Sequence, residues 1–239
     1  MFRKYLVVLL FIAGLAPPEV SAQLEGLGVK FGFNFVTPIS KPVEGATLNP
    51  GFNGLNGFFL RFRLAEKFTI QSGIQLSLKA SEFTTPISGD TIVEQFIPNV
   101  GYIPFAADYA GIVYGRFRNY YAEVPVAVRF ETSEHWAVVG GIYGAYLLRP
   151  DNSGTADIEL GDGFDFREGE LFDQTADLHP WDYGVLFGGE YRRNNWQVDL
   201  RATIGLRTIY DRDFGAVSSS VWNGYIQGTF GYFFEINKD

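Results

Sequence analysis

Eight stretches of this chain alternate apolar and polar residues one for one, and that period of two constrains the fold more than any other feature. They are Leu27–Phe35, Leu55–Leu64, Phe68–Ala80, Tyr120–Phe130, Ala137–Arg149, Asp182–Arg192, Trp196–Ile209 and Trp222–Ile236. In the fourth, one face carries Tyr120, Ala122, Val124, Val126, Val128 and Phe130, and the other carries Tyr121, Glu123, Pro125, Ala127 and Arg129. Side chains that alternate in this way stand on opposite faces of a strand. At about nine to fifteen residues, each segment is long enough to cross a bilayer at a tilt.

The connections alternate as well. Ala65-Glu66-Lys67, Glu131 to Trp136 and Arg193-Asn194-Asn195 are short, whereas Val36 to Gly54, Ser81 to Asn119, Pro150 to Trp181 and Tyr210 to Val221 are long. Tight turns at one end and long loops at the other are the pattern of an outer-membrane barrel, with turns in the periplasm and loops outside. An even strand number returns both ends of the domain to the periplasmic side. The expected fold is all-β: an eight-stranded antiparallel up-and-down transmembrane β-barrel with long extracellular loops.

A soluble carrier barrel has the same period with the faces exchanged, so volume and charge must decide. The polar faces hold Gly28, Gly32, Gly57, Gly73, Gly141, Gly184, Gly188, Gly205 and Gly231. The other faces are crowded with residues such as Phe31, Phe33, Phe58, Leu60, Phe62, Ile204, Phe230, Tyr232 and Phe234. An eight-stranded barrel has room inside only for side chains, so the face rich in glycine belongs there. Turning the seventh strand over would put Asp199, Arg201 and Arg207 into lipid, at about 2–4 kcal/mol for a cation near the midplane. Aromatic residues make up 17% of the chain, and the tryptophans account for part of that excess as two interfacial girdles. Trp136 and Trp196 fall at the short-turn end, Trp181 and Trp222 at the long-loop end.

The charges left inside are Lys30, Arg61, Arg63, Lys79, Glu123, Arg129, Glu190, Arg192, Asp199, Arg201, Arg207 and Glu235. Buried charges need partners. Arg61, Arg63, Arg129 and Arg201 are therefore expected to pair with Glu123, Glu190, Asp199 and Glu235, filling the lumen. Pro125 forfeits a ladder hydrogen bond in a strand flanked on both sides, which predicts a bulge.

Ahead of the first strand, Arg3 and Lys4 precede an apolar run from Tyr5 to Ala16 and the small-residue site Val20-Ser21-Ala22. This reads as a signal peptide over residues 1–22, cut after Ala22, which leaves one barrel domain over 23–239. Cysteine is absent, so no disulfide framework holds the fold. A net charge of −8 argues against a nucleic-acid partner.

The segments "YAEVPVAVRF", "LGVKFGFNF", "GGIYGAYLL", "DYGVLFGGEYR" and "GTFGYFFEI" resemble, in the same order, the strands of the PorT-type outer-membrane β-barrel family of Bacteroidetes. The resemblance implies residence in the outer membrane, among its lipids and lipopolysaccharide. The family's name-giving member takes part in protein secretion, and the family brings no catalytic motif. One departure is the end of the chain, where Phe234 is followed by Glu235-Ile236-Asn237-Lys238-Asp239.

The expected function is non-enzymatic: membrane anchoring and display of four loops, with an envelope or secretion protein docking on the second and third. The alternatives are a narrow porin-like channel for small solutes or ions, and a lipid A-modifying enzyme built on His179, Asp182 and Ser218 or Ser219. No cofactor or metal site is expected. The third loop carries Asp151, Asp157, Glu159, Asp162, Asp165, Glu168, Glu170, Asp173 and Asp177 against Arg167, but "GDGFDFREGE" lacks the ligand order of a calcium loop. The second loop's "IVEQFIPNVGYIPFAADYAGIVYG" is apolar and aromatic enough to fold as a strand extension above the membrane, or to present a sticky patch to a partner.

Overall fold

The computed structural model describes residues 23–40, 45–97, 101–160, 164–170, 178–209 and 221–236. Residues 1–22 (the expected signal peptide), Ser218, Ser219 and part of the acidic third loop lie outside these residues. Twelve strands are present among them. They are β1 (Gln23–Val36), β2 (Ile39–Ser40), β3 (Thr47–Asn49), β4 (Gly51–Ala65), β5 (Phe68–Ile97), β6 (Gly101–Glu131), β7 (Trp136–Pro150), β8 (Ser153–Leu160), β9 (Phe164–Glu170), β10 (Trp181–Arg193), β11 (Trp196–Thr208) and β12 (Val221–Glu235).

Eight of them close a ring, each antiparallel to its neighbours: β1, β4, β5, β6, β7, β10, β11 and β12, with β12 returning to β1. Closure is what a sheet in hydrocarbon requires, because an open edge would leave backbone N–H and C=O groups with no water to bond. The tight turns fall at one end, at Glu66-Lys67, 132–135 and Asn194-Asn195. Asn194 takes the left-handed conformation (φ 54°) that lets β10 fold directly back as β11. At the same end Glu25 accepts the Ile236 amide, so both ends of the described barrel meet there.

The faces sort as the residue volumes require. Phe31, Phe58, Val124, Val126, Val128, Phe130, Ile142, Phe187, Leu200 and Phe230 point outward and are exposed, while Arg61, Glu123, Arg129, Glu190, Asp199 and Arg201 point inward and are buried. Trp136 and Trp196 open β7 and β11 at the turn end, and Trp181 and Trp222 sit at the loop end of β10 and β12. Inward glycines have no room for a side chain. A Cβ on Gly184 would lie 2.1 Å from the Ile204 carbonyl oxygen and 2.7 Å from the Tyr143 ring, and one on Gly28 would strike the Phe59 ring at 2.2 Å. Outward Gly140 and Gly144 face open space.

One feature differs from the sequence expectation. The bulge predicted at Pro125 is not there. Ser72↔Val126 and Gln75↔Glu123 hold one register, and the β5 pairing is simply interrupted opposite Val124 and Pro125, while β7 pairs Pro125 through Tyr143. The β6–β7 bulge lies instead between Tyr120 and Tyr121, opposite Leu147 and Arg149. The second long connection is mostly strand, the extension above the membrane that its apolar and aromatic run allows. β5 and β6 continue as one hairpin at constant register from Phe68↔Phe130 to Ile97↔Gly101. β3 pairs with its β5 side at Thr47–Asn49, and β8 and β9 build on its β6 side. Pro86 and Pro104 sit beyond these flanking strands, where a missing N–H removes no ladder bond among the described residues.

Gly184→Val is expected to destabilise the barrel by about 1–3 kcal/mol, since backbone and ring atoms cannot make way for it. Gly144→Val, on the same ladder but facing out, is expected to stay within about 0.5 kcal/mol of wild type. Urea unfolding in phospholipid vesicles, followed by tryptophan fluorescence, checks the difference.

Candidate functional site

The inward side chains stack in layers that fill the ring. Nearest the turn end, Glu190 on β10 takes two guanidiniums. Arg129 on β6 donates to it from both Nε (3.1 Å) and Nη2 (2.7 Å), and Arg61 on β4 donates from Nη2 at 3.1 Å. The same Arg61 nitrogen also donates to Gln197 Oε1 at 2.8 Å and Gln71 Oε1 at 3.1 Å. Its guanidinium carbon lies 4.6 Å from the centre of the Phe233 ring. Phe233 and Phe59 are bulky, inward and buried, and they stack on each other at 6.0 Å. They fit because Gly28 stands opposite both in the ladder.

In the middle, Arg201 Nε lies 2.8 Å from Asp199 Oδ1 on its own strand, and Thr229 donates to Asp199 at 2.6 Å. Lys30 is also buried here, with no hydrogen-bond partner at Nζ among the described residues. Toward the loop end, Lys79 on β5 is caged. Its Nζ donates to Asp182 Oδ2 at 3.1 Å and lies 3.8 Å from Glu123. The rings of Tyr121, Tyr143 and Tyr225 surround it at 4.6, 5.0 and 4.5 Å. Tyr143 and Asn223 donate to Asp182, and Tyr225 donates to Glu123. Every charge in this layer therefore has an opposite charge and a hydrogen bond, the condition under which burial is tolerable.

Above the cage the lumen turns apolar. Phe83, Val113, Phe117, Leu178, Ile209 and Val221 form a buried cluster, with Leu48, Ile87 and Leu147 packed against it. All four long connections contribute to this lid. Phe83 and Phe117 stack at 4.7 Å, and the backbone is tied across by His179 N–H to Ile209 C=O and Ile209 N–H to Val221 C=O.

The structure therefore brings Arg61, Arg129 and Glu190 together, and Asp199 with Arg201. Glu123 meets Lys79 rather than an arginine. Arg63 pairs with Glu25 at the turn-end rim, a carboxylate that alternation alone gave no reason to choose. Arg192 pairs with Glu235 at 3.2 Å at the same rim. Arg207 reaches Nδ1 of His179 at 2.8 Å at the loop end. That contact, together with the commitment of Asp182 Oδ2 to Lys79, Tyr143 and Asn223, describes both histidine and acid of the enzyme alternative as parts of the barrel's own network. Among the described residues no group of His, Asp and Glu is arranged to hold a metal.

Glu190→Gln leaves Arg61 and Arg129 buried with their shared carboxylate gone, and an expected loss of about 3–5 kcal/mol. Glu235→Gln breaks a rim pair whose side chains are 28% and 27% exposed, and is expected to lose under about 1 kcal/mol. Equilibrium unfolding of both variants in the same lipid provides the comparison.

The described outward faces are therefore apolar and the lumen is polar, as in a barrel that sits in lipid. Three solved structures resemble the chain path. The attachment invasion locus protein Ail of Yersinia pestis is 14% identical, covering 88% of this chain and 99% of its own, with a TM-score of 0.38. Neisserial surface protein A is 15% identical over 88% and 99%, with a TM-score of 0.42. OprG of Pseudomonas aeruginosa is 10% identical over 90% and 99%, with a TM-score of 0.40. No curated protein matches the sequence. A family model described as the outer membrane protein beta-barrel domain matches residues 22–211, most of the 239-residue chain, and the chain belongs to that family of outer-membrane barrels.

Proposed function

We propose that this protein is a non-enzymatic, non-conducting outer-membrane barrel of the PorT type that anchors and displays an extracellular strand platform for a protein partner, as an accessory to secretion across the envelope. The single observation that carries this reading is the distribution of filling. Buried side chains occupy the barrel from Phe233 and Arg61, above a recess at the turn-end rim lined by Glu25, Arg63, Arg192 and Glu235, up to the lid at the loop end, while the β5–β6 hairpin continues far past it and is widened by β3, β8 and β9.

A channel needs a continuous wet path. Here Arg61, Glu190, Arg201, Lys79 and the tyrosine cage occupy the bore, and the Phe83–Phe117 lid covers its outer end. Chemistry on a substrate needs groups free to meet it, and the histidine and acid of the enzyme alternative are engaged, His179 by Arg207 and Asp182 by Lys79, Tyr143 and Asn223. The platform has what a docking surface uses: backbone edges and strand faces held clear of the lipid. An extended segment added to a sheet edge is one general way in which such a surface takes a protein.

Two measurements test the reading. Planar-bilayer recordings of the wild-type barrel are expected to show no steady conductance, with leaks appearing in Arg61→Ala and Arg129→Ala. Steady conductance in the wild type would instead make it a channel. Replacing residues 87–111 by Asn-Gly keeps Phe83, Val113 and Phe117 in the lid. It is expected to leave outer-membrane assembly intact and to abolish capture of the partner in a cross-linked pull-down. Partners retained in full would count against the platform.

A further inference from the structure

Among the described residues the outward wall carries a cationic patch on the β6–β7 flank, just beyond the loop-end girdle. Along β6 the outward residues run Phe130, Val128, Val126, Val124 and Ala122, then change to Tyr120, Arg118 and Arg116. On β7 the outward series ends in Tyr146, Leu148 and Arg149. Arg149 has the wrong parity for this face, since Tyr143, Ala145 and Leu147 all point inward. The bulge opposite Tyr120 and Tyr121 corrects it, because Tyr121 pairs with Leu147 while Tyr120 pairs with Arg149. Leu148 and Arg149 thus both face out, which is the re-aiming of a side chain that a bulge achieves.

Depth follows from the ladder. Trp181 pairs with Tyr146, which pairs with Ala122, and the Trp181 and Tyr146 rings touch at 4.8 Å. Tyr120 and Arg118 lie two and four residues beyond Ala122. At about 3.3 Å per residue and a tilt near 40°, they stand roughly 5 and 10 Å above the girdle. Tyr120 thus stands in the headgroup layer, which extends about 5–7 Å beyond the hydrocarbon on each side, and Arg118 sits just above it with its guanidinium reaching back to within 5.7 Å of the Tyr120 ring.

Charge completes the case. Arg118 and Arg149 flank Tyr120, and the Arg118 guanidinium lies 5.7 Å from the Tyr120 ring. Among the described residues neither arginine makes an ion pair. Among the described residues the nearest carboxylates by ladder and chain are Glu82, opposite Arg116 one step further out, and Asp151. In a chain of net charge −8, two guanidiniums that make no ion pair among the described residues and face headgroups above an aromatic ring are complementary to an anion presented by the membrane itself. Guanidinium is also the side chain best shaped for phosphate.

We infer that Arg118 and Arg149, with Tyr120 between them, form a binding site on the outer wall of the barrel for the phosphate of an outer-leaflet glycolipid of the lipid A class. Arg116, offset by Glu82, extends it outward. The inference rests on the long-loop end facing outside and is independent of what the platform binds.

The test is native mass spectrometry and titration of the full barrel in dodecyl maltoside, a phosphate-free detergent, with bisphosphorylated lipid A, dephosphorylated lipid A and inorganic phosphate as probes. Wild type is expected to bind bisphosphorylated lipid A at least tenfold more tightly than the dephosphorylated form. Arg118→Gln/Arg149→Gln is expected to lose that preference, and Arg118→Lys/Arg149→Lys to keep most of it. All three proteins should show the same heat-modifiable migration, which separates lost binding from lost fold. Equal binding of the two lipids by wild type, or unchanged preference in the glutamine variant, would overturn the site. So would full competition by inorganic phosphate at matched concentration, which would make the ligand a free anion rather than a lipid.

Discussion

A strand that crosses hydrocarbon must give every backbone N–H and C=O to a neighbour, and the rest of this structure depends on that requirement. It forces the sheet to close, and with eight strands the circle is small. Interior volume then becomes the scarce quantity. Glycine lines the inner wall where a ring from the neighbouring strand lies over it, as Gly28 does beneath Phe59 and Gly184 beside Tyr143. The bulky apolar residues have no place but the outside, where lipid receives them.

Filling so narrow a space with charge is tolerable only if the charges answer one another. Glu190 serves two arginines from two other strands, and Asp182 gathers Lys79, Tyr143 and Asn223 from three. Such pairs add little net stability over well-packed apolar groups, but they are expensive to break singly. They tie together strands far apart in sequence and specify which strands face one another. The lid of Phe83, Phe117 and their neighbours then keeps the polar layers from opening to the outside.

Much of this was legible in the sequence, because a period of two reports faces directly. Strand positions, the alternation of turns and loops, and the inward set of Arg61, Glu123, Arg129, Glu190, Asp199 and Arg201 all follow from local pattern. Partnership was less legible. Glu123 meets Lys79 and Tyr225 because of relative strand stagger around the ring, which no single segment encodes. The same holds for the Tyr121–Tyr143–Tyr225 cage, whose members come from three strands. Pro125 misled for a physical reason: losing one N–H interrupts a ladder without requiring an extra residue. The true bulge, at Tyr120 and Tyr121, carries no proline or glycine to mark it. The extension of the β5–β6 hairpin was legible in its apolar and aromatic run, but its register was not, because past the girdle polarity no longer distinguishes lipid from lumen.

The most direct test of the account is nitroxide scanning of β11 in lipid, one label at a time from Val198 to Ile204. Outward apolar residues and an ion-paired lumen predict oxygen accessibility with a period of two, high at Val198, Leu200 and Ile204 and low at Asp199, Arg201 and Thr203. The opposite phase, with Asp199 and Arg201 open to a water-soluble nickel chelate and Leu200 shielded, would contradict it.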